Sequence, residues 1–251
     1  MATRNVENQP AENDLIRPLK VAYPAGHRLP VHTHEWGQLA YAATGFLTVD
    51  AAAATWVVPA DRAAWLPPGT PHSLSTRVRT VLHSIYFPPG ARGLGKETRV
   101  VEVTPLVREI IDHVVAREQL DLRTAADRRL VQVLVDQLRT IDVAPLELRQ
   151  PFDAVARDAA DRLRADPARD PDDVARAVGT SRRTLERRFR EETGTPLGRW
   201  RQRAQVLRAV ELLAGGAPVT EAATTVGYST PSAFVVAFRT VFGTTPGRFF
   251  A

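Results

Sequence analysis

The sequence predicts an α+β protein of two domains, with an antiparallel β-barrel or sandwich followed by amphipathic helices, and then an all-α domain. Three observations predict it. Residues 20–87 contain short runs rich in β-branched and aromatic residues, such as "FLTVD", "TWVVP" and "RTVLHSIYF", separated by Gly and Pro clusters such as "LPPGTPH" at 66–72. Beyond "PPGARGLG" (88–95) the apolar residues recur with helical period. The final hundred residues contain an internal repeat with a period of about fifty. The expected boundaries are 1–100 for the β domain, 101–148 for a helical connection and 149–251 for the all-α domain.

Composition narrows the class. A chain of 251 residues with 44% hydrophobic content can bury two ordinary cores. It has no cysteine, so disulfides and thiolate metal sites are excluded and any metal falls to His, Asp, Glu or Gln. "MATRNVENQPAENDLIRPLK" mixes acids and bases without an apolar core, unlike a signal peptide, and the least charged stretch, Trp36 to Ala60, is broken by Gly37, Gly45 and Asp50. A cytoplasmic protein without a membrane span is the expectation. The net charge is +5, and residues 151–251 hold 16 Arg against 12 acids, so the positive surplus lies near the C-terminus. All basic residues except Lys20 and Lys96 are Arg, whose planar fork suits phosphate and guanine.

In "TPLVREIIDHVVARE" (104–118), Thr104 is placed to cap and Pro105 to begin a helix. Leu106, Ile110 and Val114 make one stripe, with Val107 and Ile111 beside it. Residues 125–141 repeat the pattern with Leu130, Leu134, Leu138 and Ile141. These two helices are expected to relay a signal or to join two copies into a homodimer.

The repeat sets "AVGTSRRTLERRFREETGTP" (177–196) against "TVGYSTPSAFVVAFRTVFGTTP" (225–246). With Gly179 aligned to Gly227, one extra residue brings Leu185 onto Phe234, and then Phe189, Arg190 and Gly194 onto Phe238, Arg239 and Gly243. Each copy has a short helix ("PDDVARAV", "TEAATTV"), a turn glycine and a second helix, the order of a helix-turn-helix. Leu185 and Phe189, four apart, turn to the core. Arg182, Arg183, Glu186, Arg187 and Arg190 are left outside, where Arg can pair with guanine and Glu can accept from cytosine in a major groove. One charged helix alone would read as a solvated face. The duplication favours nucleic acid.

Residues 150–251 resemble the DNA-binding domain of the AraC/XylS family of transcription regulators, in which one long helix joins two helix-turn-helix units. "TPLGRWRQRAQVLRAVELLAGGAPVT" (195–220) stands where that helix belongs, and "AFVVAFRTVFGTTPGRFF" is similar to the family's closing stretch. The resemblance implies promoter DNA and RNA polymerase as partners. It places Arg183, Glu186 and Arg187 at base-reading positions of the first unit, and Ser232, Val235 and Val236 at those of the second. Valines can touch thymine methyls but make no bidentate hydrogen bonds, so the first unit is expected to discriminate bases. The second would anchor to phosphate, with Arg239 as a contact. Two such helices would enter successive major grooves about 34 Å apart.

The remaining motif is "PVHTHEWGQ" (30–38). Gly26, His32-Thr33-His34, Gln38 and Gly45 resemble the first cupin motif, with Gln in place of the usual Glu. Pro67-Pro68-Gly69-Thr70-Pro71-His72 resembles the second, with Thr76 where the pattern has Asn. Cupin-like barrels are the usual effector domains of AraC-type regulators. Residues 32, 34 and 38 share strand parity, so a regular strand would point all three to one side of a barrel. With His72 they form a candidate metal site for Ni, Zn, Mn or Fe, in which an amide oxygen is a weaker ligand than a carboxylate. A site that keeps more of its positive charge can draw in an anionic effector. Trp36, Gln38 and His83 are the expected effector-pocket residues, while His27 and His113 read as surface or packing residues. The competing reading is a metal-dependent cupin enzyme, a dioxygenase or isomerase, with an accessory helical domain. Neither motif places a carboxylate as a base, and the regulator reading leaves no domain without a role.

Overall fold

The structure is a computed structural model, and it describes residues 14–51, 54–91, 93–139 and 147–249. Ile141, expected to close the second helical stripe, lies outside them. The chain divides into two compact units, Met1–Ala52 with Val58–Leu146, and Ala53–Val57 with Glu147–Ala251.

In the first unit a six-stranded antiparallel sheet runs in the order β10-β1-β8-β3-β6-β9. Its strands are β1 (Leu15–Tyr23), β3 (Gly37–Thr44), β6 (Arg62–Leu66), β8 (Thr80–Phe87), β9 (Arg99–Glu102) and β10 (Leu120–Asp121). Beside it, β7 (His72–Ser75) pairs on one edge with β2 (Arg28–His32) and on the other with β4 (Phe46–Ala51). Alternation gives the central strands two different faces. Leu39, Tyr41, Ile85 and Phe87 turn outward, where α1 (Pro105–Val115) and α2 (Ala125–Arg139) complete one apolar cluster through Val107, Ile111, Leu134 and Leu138. Gln38, Ser84 and Tyr86 turn the other way and meet one another through hydrogen bonds. The Thr104 hydroxyl accepts from the Val107 N–H, and Pro105 opens α1, as the sequence predicts.

In the second unit, β11 (Glu147–Arg149) pairs with residues 54–56 of β5 (Ala54–Pro59). This pairing is why a piece of the β region, placed by sequence spacing with residues 1–100, groups with the helices. There follow α3 (Ala154–Ala165), α4 (Pro171–Ala177), α5 (Arg182–Thr193), α6 (Leu197–Ala214), α7 (Val219–Thr225), α8 (Pro231–Phe242) and the short α9 (Pro246–Phe249). No helix among the described residues is long and apolar enough to cross a membrane.

Candidate functional site

The histidine motif closes into a site by a route other than the one its parity suggests. β2 ends at His32, β3 begins at Gly37, and His34 sits in the irregular segment between. A regular strand would put these side chains side by side. Instead the chain turns, and the turn carries Gln38 onto the neighbouring sheet, where it pairs with Tyr86. His72 arrives at the start of β7, directly opposite His32. The ligating atoms of His32, His34 and His72 all lie within 4.8 Å of one another. The sequence-predicted set therefore meets in space, drawn from both sheets.

Hydrogen bonding fixes the tautomers. Nδ1 of His32 lies 2.9 Å from the Pro30 carbonyl, that of His34 2.7 Å from Trp36, and that of His72 2.9 Å from Thr70. A carbonyl can only accept, so each Nδ1 carries the proton and each neutral ring presents a lone pair at Nε2. Burial, reinforced by His32 and His34 and opposed by the Thr70 carbonyl, pulls the His72 pKa down to about 4. His72 is thus a neutral donor at ordinary pH. Its Nε2 is buried and has no hydrogen-bond partner among the described residues.

Gln38 supplies the fourth group. It is fully buried, and its NH2 donates to Ser84 Oγ at 2.8 Å and Tyr86 Oη at 3.3 Å. Its oxygen is then left facing His34 Nε2 at 3.3 Å. That contact sets two acceptors against each other unless a proton or a cation lies between them. The donor set suits a borderline first-row ion bound by three imidazoles and one amide oxygen.

Two other expected pocket residues are placed differently. Trp36 is fully buried against Tyr86, with Arg17 stacked 5.0 Å from its ring, and its carbonyl holds His34. His83 corrects the expectation that it shares this interior. It follows Leu82 and precedes Ser84 on β8, so alternation turns it to the opposite face, where Nδ1 lies 3.0 Å from Asp112 of α1. Burial lowers its pKa, with Lys20 in the same direction and Asp112 against. Of the two remaining histidines, His27 stacks on Tyr23 with ring centroids 4.5 Å apart, and His113 is exposed on α1. Ser84 and Tyr86, which orient Gln38, went unnoticed in the sequence, although polar residues at alternate positions of "VLHSIYF" were the available signal.

The second unit builds a recognition surface from two copies of one scaffold. In α5, Leu185 and Phe189 are fully buried, Arg182, Arg183, Arg187 and Arg190 are exposed and Glu186 is half-buried. Ser181 caps the helix by accepting from the Thr184 N–H, and Gly194 ends it at φ 70°. Arg187 pairs with Glu191 one turn on and Arg182 with Asp172 of α4, whereas Arg183 and Arg190 make no ion pair among the described residues. In α8, Phe234 and Phe238 are buried, Thr230 caps and Gly243 ends the helix at φ 73°. Ser232, Val236 and Arg239 are exposed and Val235 is half-buried. Both units turn on a positive-φ glycine, Gly179 at 72° and Gly227 at 92°. At Gly227 a Cβ would also come within 2.8 Å of the Ala168 backbone.

Arg199 was missed by the sequence reading. With Arg182, Arg183, Glu186, Pro196 and Gly198 it lines a hollow of about 760 Å³ beside the start of α5. Three guanidiniums around one concavity suit a nucleic-acid phosphate. The sequence masks this, because Arg199 belongs to the joining helix rather than to either recognition helix.

A helix-turn-helix pair with a cationic face, on one chain with a β-sheet domain holding a small polar site, defines the class of a ligand-responsive DNA-binding protein. The comparisons name the family. An AraC-like ligand binding domain matches residues 19–138 and a helix-turn-helix domain matches residues 174–251. The chain is 31% identical over 224 residues to the HTH-type transcriptional regulator NimR of Escherichia coli (strain K12), covering 88% of this chain and 82% of that protein. It is 35% identical over 96 residues to the HTH-type transcriptional regulator RipA of Corynebacterium glutamicum, which covers 38% of this chain and 29% of RipA. Among solved structures, an AraC-type regulator from Chromobacterium violaceum matches at 28% identity and a TM-score of 0.36, over 38% of this chain and 87% of that one. The chain belongs to the AraC family of DNA-binding transcription regulators and carries that family's ligand-binding domain.

Proposed function

We propose that the His32–His34–His72–Gln38 site is where this regulator senses its effector, and that a divalent first-row metal (Ni, Zn, Mn or Fe) is part of what it senses. The observation that carries the reading is His34 Nε2 facing Gln38 Oε1 at 3.3 Å, two lone pairs that a shared cation would satisfy. The convergence of three imidazoles whose Nδ1 protons are already committed supports it further. When bound, the metal would supply a positive centre able to take a small anionic effector at an open position. His32, His34 and His72 hold it through Nε2, and Gln38, steadied by Ser84 and Tyr86, contributes a neutral oxygen. This donor set resembles the cupin pattern with the carboxylate removed, so an exchangeable ion fits a sensor better than a tightly held one.

Arg183, Glu186 and Arg187 would read bases, with Arg182 and Arg190 beside them. Ser232, Val235 and Val236 would lie in a second groove, with Arg239 on phosphate. The cytoplasm, a homodimer joined through α1 and α2, and RNA polymerase as a further partner complete the proposal by family analogy.

Fluorescence anisotropy of a labelled promoter fragment tests it. Metal-free protein and protein loaded with each ion in turn should differ at least about tenfold in DNA affinity, a coupling of roughly 1.4 kcal/mol. The His72→Ala variant should lose the difference and keep its DNA binding. Equal affinity with chelator and with every ion would remove the metal while leaving the regulator intact. Metal content measured on the purified protein identifies the ion.

A further inference from the structure

The internal repeat runs on past the two recognition helices. After the αL glycines that end α5 and α8, the copies continue as Gly194-Thr195-Pro196-Leu197-Gly198-Arg199-Trp200 and Gly243-Thr244-Thr245-Pro246-Gly247-Arg248-Phe249. A glycine, an arginine and an aromatic residue therefore follow each helix end at the same distance. The first set lies in the opening turn of α6 and the second in α9.

Packing repeats with the sequence. Trp200 meets Phe189 edge to face, with ring centroids 5.2 Å apart and planes at 78°, and Phe249 meets Phe238 at 5.5 Å and 81°. Each aromatic wedge locks the segment onto the buried ring of its own recognition helix, and so fixes where the preceding arginine stands. Leu197 and Pro246 are buried, whereas Gly198, Arg199, Gly247 and Arg248 are exposed, so both copies turn the same two residues outward. Neither arginine makes an ion pair or a side-chain hydrogen bond among the described residues. The fold does not call for either glycine: a Cβ at 198 or 247 would meet nothing within 4 Å, and neither residue has a positive φ. Glycine weakens a helix relative to alanine, and a bare backbone there suits the close approach of another chain.

In the first copy Arg199 shares the 760 Å³ hollow with Arg182 and Arg183, beside the start of α5. The start of a recognition helix faces base edges, and phosphates border the groove it enters. A cation standing off the helix, beside its start, meets that border and not the bases. We propose that Arg199 and Arg248 are a matched pair of backbone clamps, one for each helix-turn-helix, each bonding a phosphate at the edge of the groove that its helix enters. This rests on α5 and α8 being the groove helices. α8 itself carries a single cation, Arg239, and no acid, so Arg248 doubles the hold of the second unit on phosphate.

Anisotropy titrations of the full chain over a range of salt concentrations test the pair. The probes are a labelled duplex of mixed sequence and the duplex that the protein selects from a random-sequence library. Arg199→Gln and Arg248→Gln should each weaken both duplexes alike, by about three- to tenfold at low salt. Each should lower the slope of log affinity against log salt by about 1, and the double variant by about 2. The ratio of specific to non-specific affinity should stay the same. Arg199→Lys and Arg248→Lys should keep the slope, since a point charge suffices for phosphate. A slope that either Gln variant leaves intact overturns the proposal. So does a fall in the ratio, which would put that side chain on a base, or a lower thermal unfolding midpoint in both the Gln and the Lys variants, which would make the arginine structural. The base-reading assignment fails separately: if Arg183→Ala and Arg187→Ala leave the ratio intact while the Gln variants lower the slope, α5 does not read sequence and the clamps stand.

Discussion

The two helix-turn-helix units share a frame and differ in their face. α5 and α8 have the same length, 12 residues, a hydroxyl cap at the start, an αL glycine at the end and two large apolar residues four apart in the core. Every one of these features fixes the backbone or the packing. Outside the frame, α5 presents Arg183, Glu186, Arg187 and Arg190, while α8 presents Ser232, Val236 and Arg239. Val236 is 67% exposed, so the outward face of α8 is in part apolar where that of α5 is charged. Folding therefore constrains the two copies alike, and only the outward positions are free to differ between them.

The largest expected effect probes the shared frame. Phe189→Ala and Phe238→Ala each remove a fully buried ring and should each cost about 3–5 kcal/mol in thermal or urea unfolding. A marked inequality between them would break the equivalence of the two scaffolds. Acid probes the other half of the chain, because all six histidines precede residue 114. With its pKa lowered to about 4 from 6.5, His72 takes up its proton more readily when unfolded. Its contribution is present above pH 6.5 and is lost as pH falls towards 4, by about 3 kcal/mol in the metal-free protein. The first unit should accordingly unfold before either helix-turn-helix as pH falls through that window, and His72→Gln should flatten the dependence.

Smaller effects separate the faces. Arg187→Ala or Arg183→Ala should cost about 1–3 kcal/mol of DNA affinity and relax preference at one base position. Arg239→Ala should weaken all sequences alike and lower the salt slope by about 1. Val236→Ala is the smallest, below about 1 kcal/mol and confined to thymine-containing sites, because the two methyl groups it removes would be only partly buried against a base methyl.

The legible parts of the sequence were those written in local patterns. Thr104, Pro105 and the turn glycines Gly179 and Gly227 act on the backbone within a few residues of themselves, so their roles are visible without tertiary structure. The histidine site was legible as a set and illegible as a geometry. Parity assumed one continuous strand through 32, 34 and 38, whereas the chain bends after His32 and delivers Gln38 to another sheet. His83 shows the cost of ignoring the same alternation, since its neighbours Ser84 and Tyr86 face Gln38 and it cannot. The hollow at Arg199 depends on residues brought together across a turn, which no spacing within one element reveals.

We propose that the first helix-turn-helix, through α5, reads sequence while the second, through α8, mainly holds the DNA. The most direct measurement is the ratio of specific to non-specific DNA affinity, at one fixed salt concentration, for Arg183→Ala/Arg187→Ala against Val235→Ala/Val236→Ala. The arginine pair should lower this ratio at least about tenfold, and the valine pair should change it less than about threefold. A larger loss from the valine pair, or equal losses from both, would contradict it.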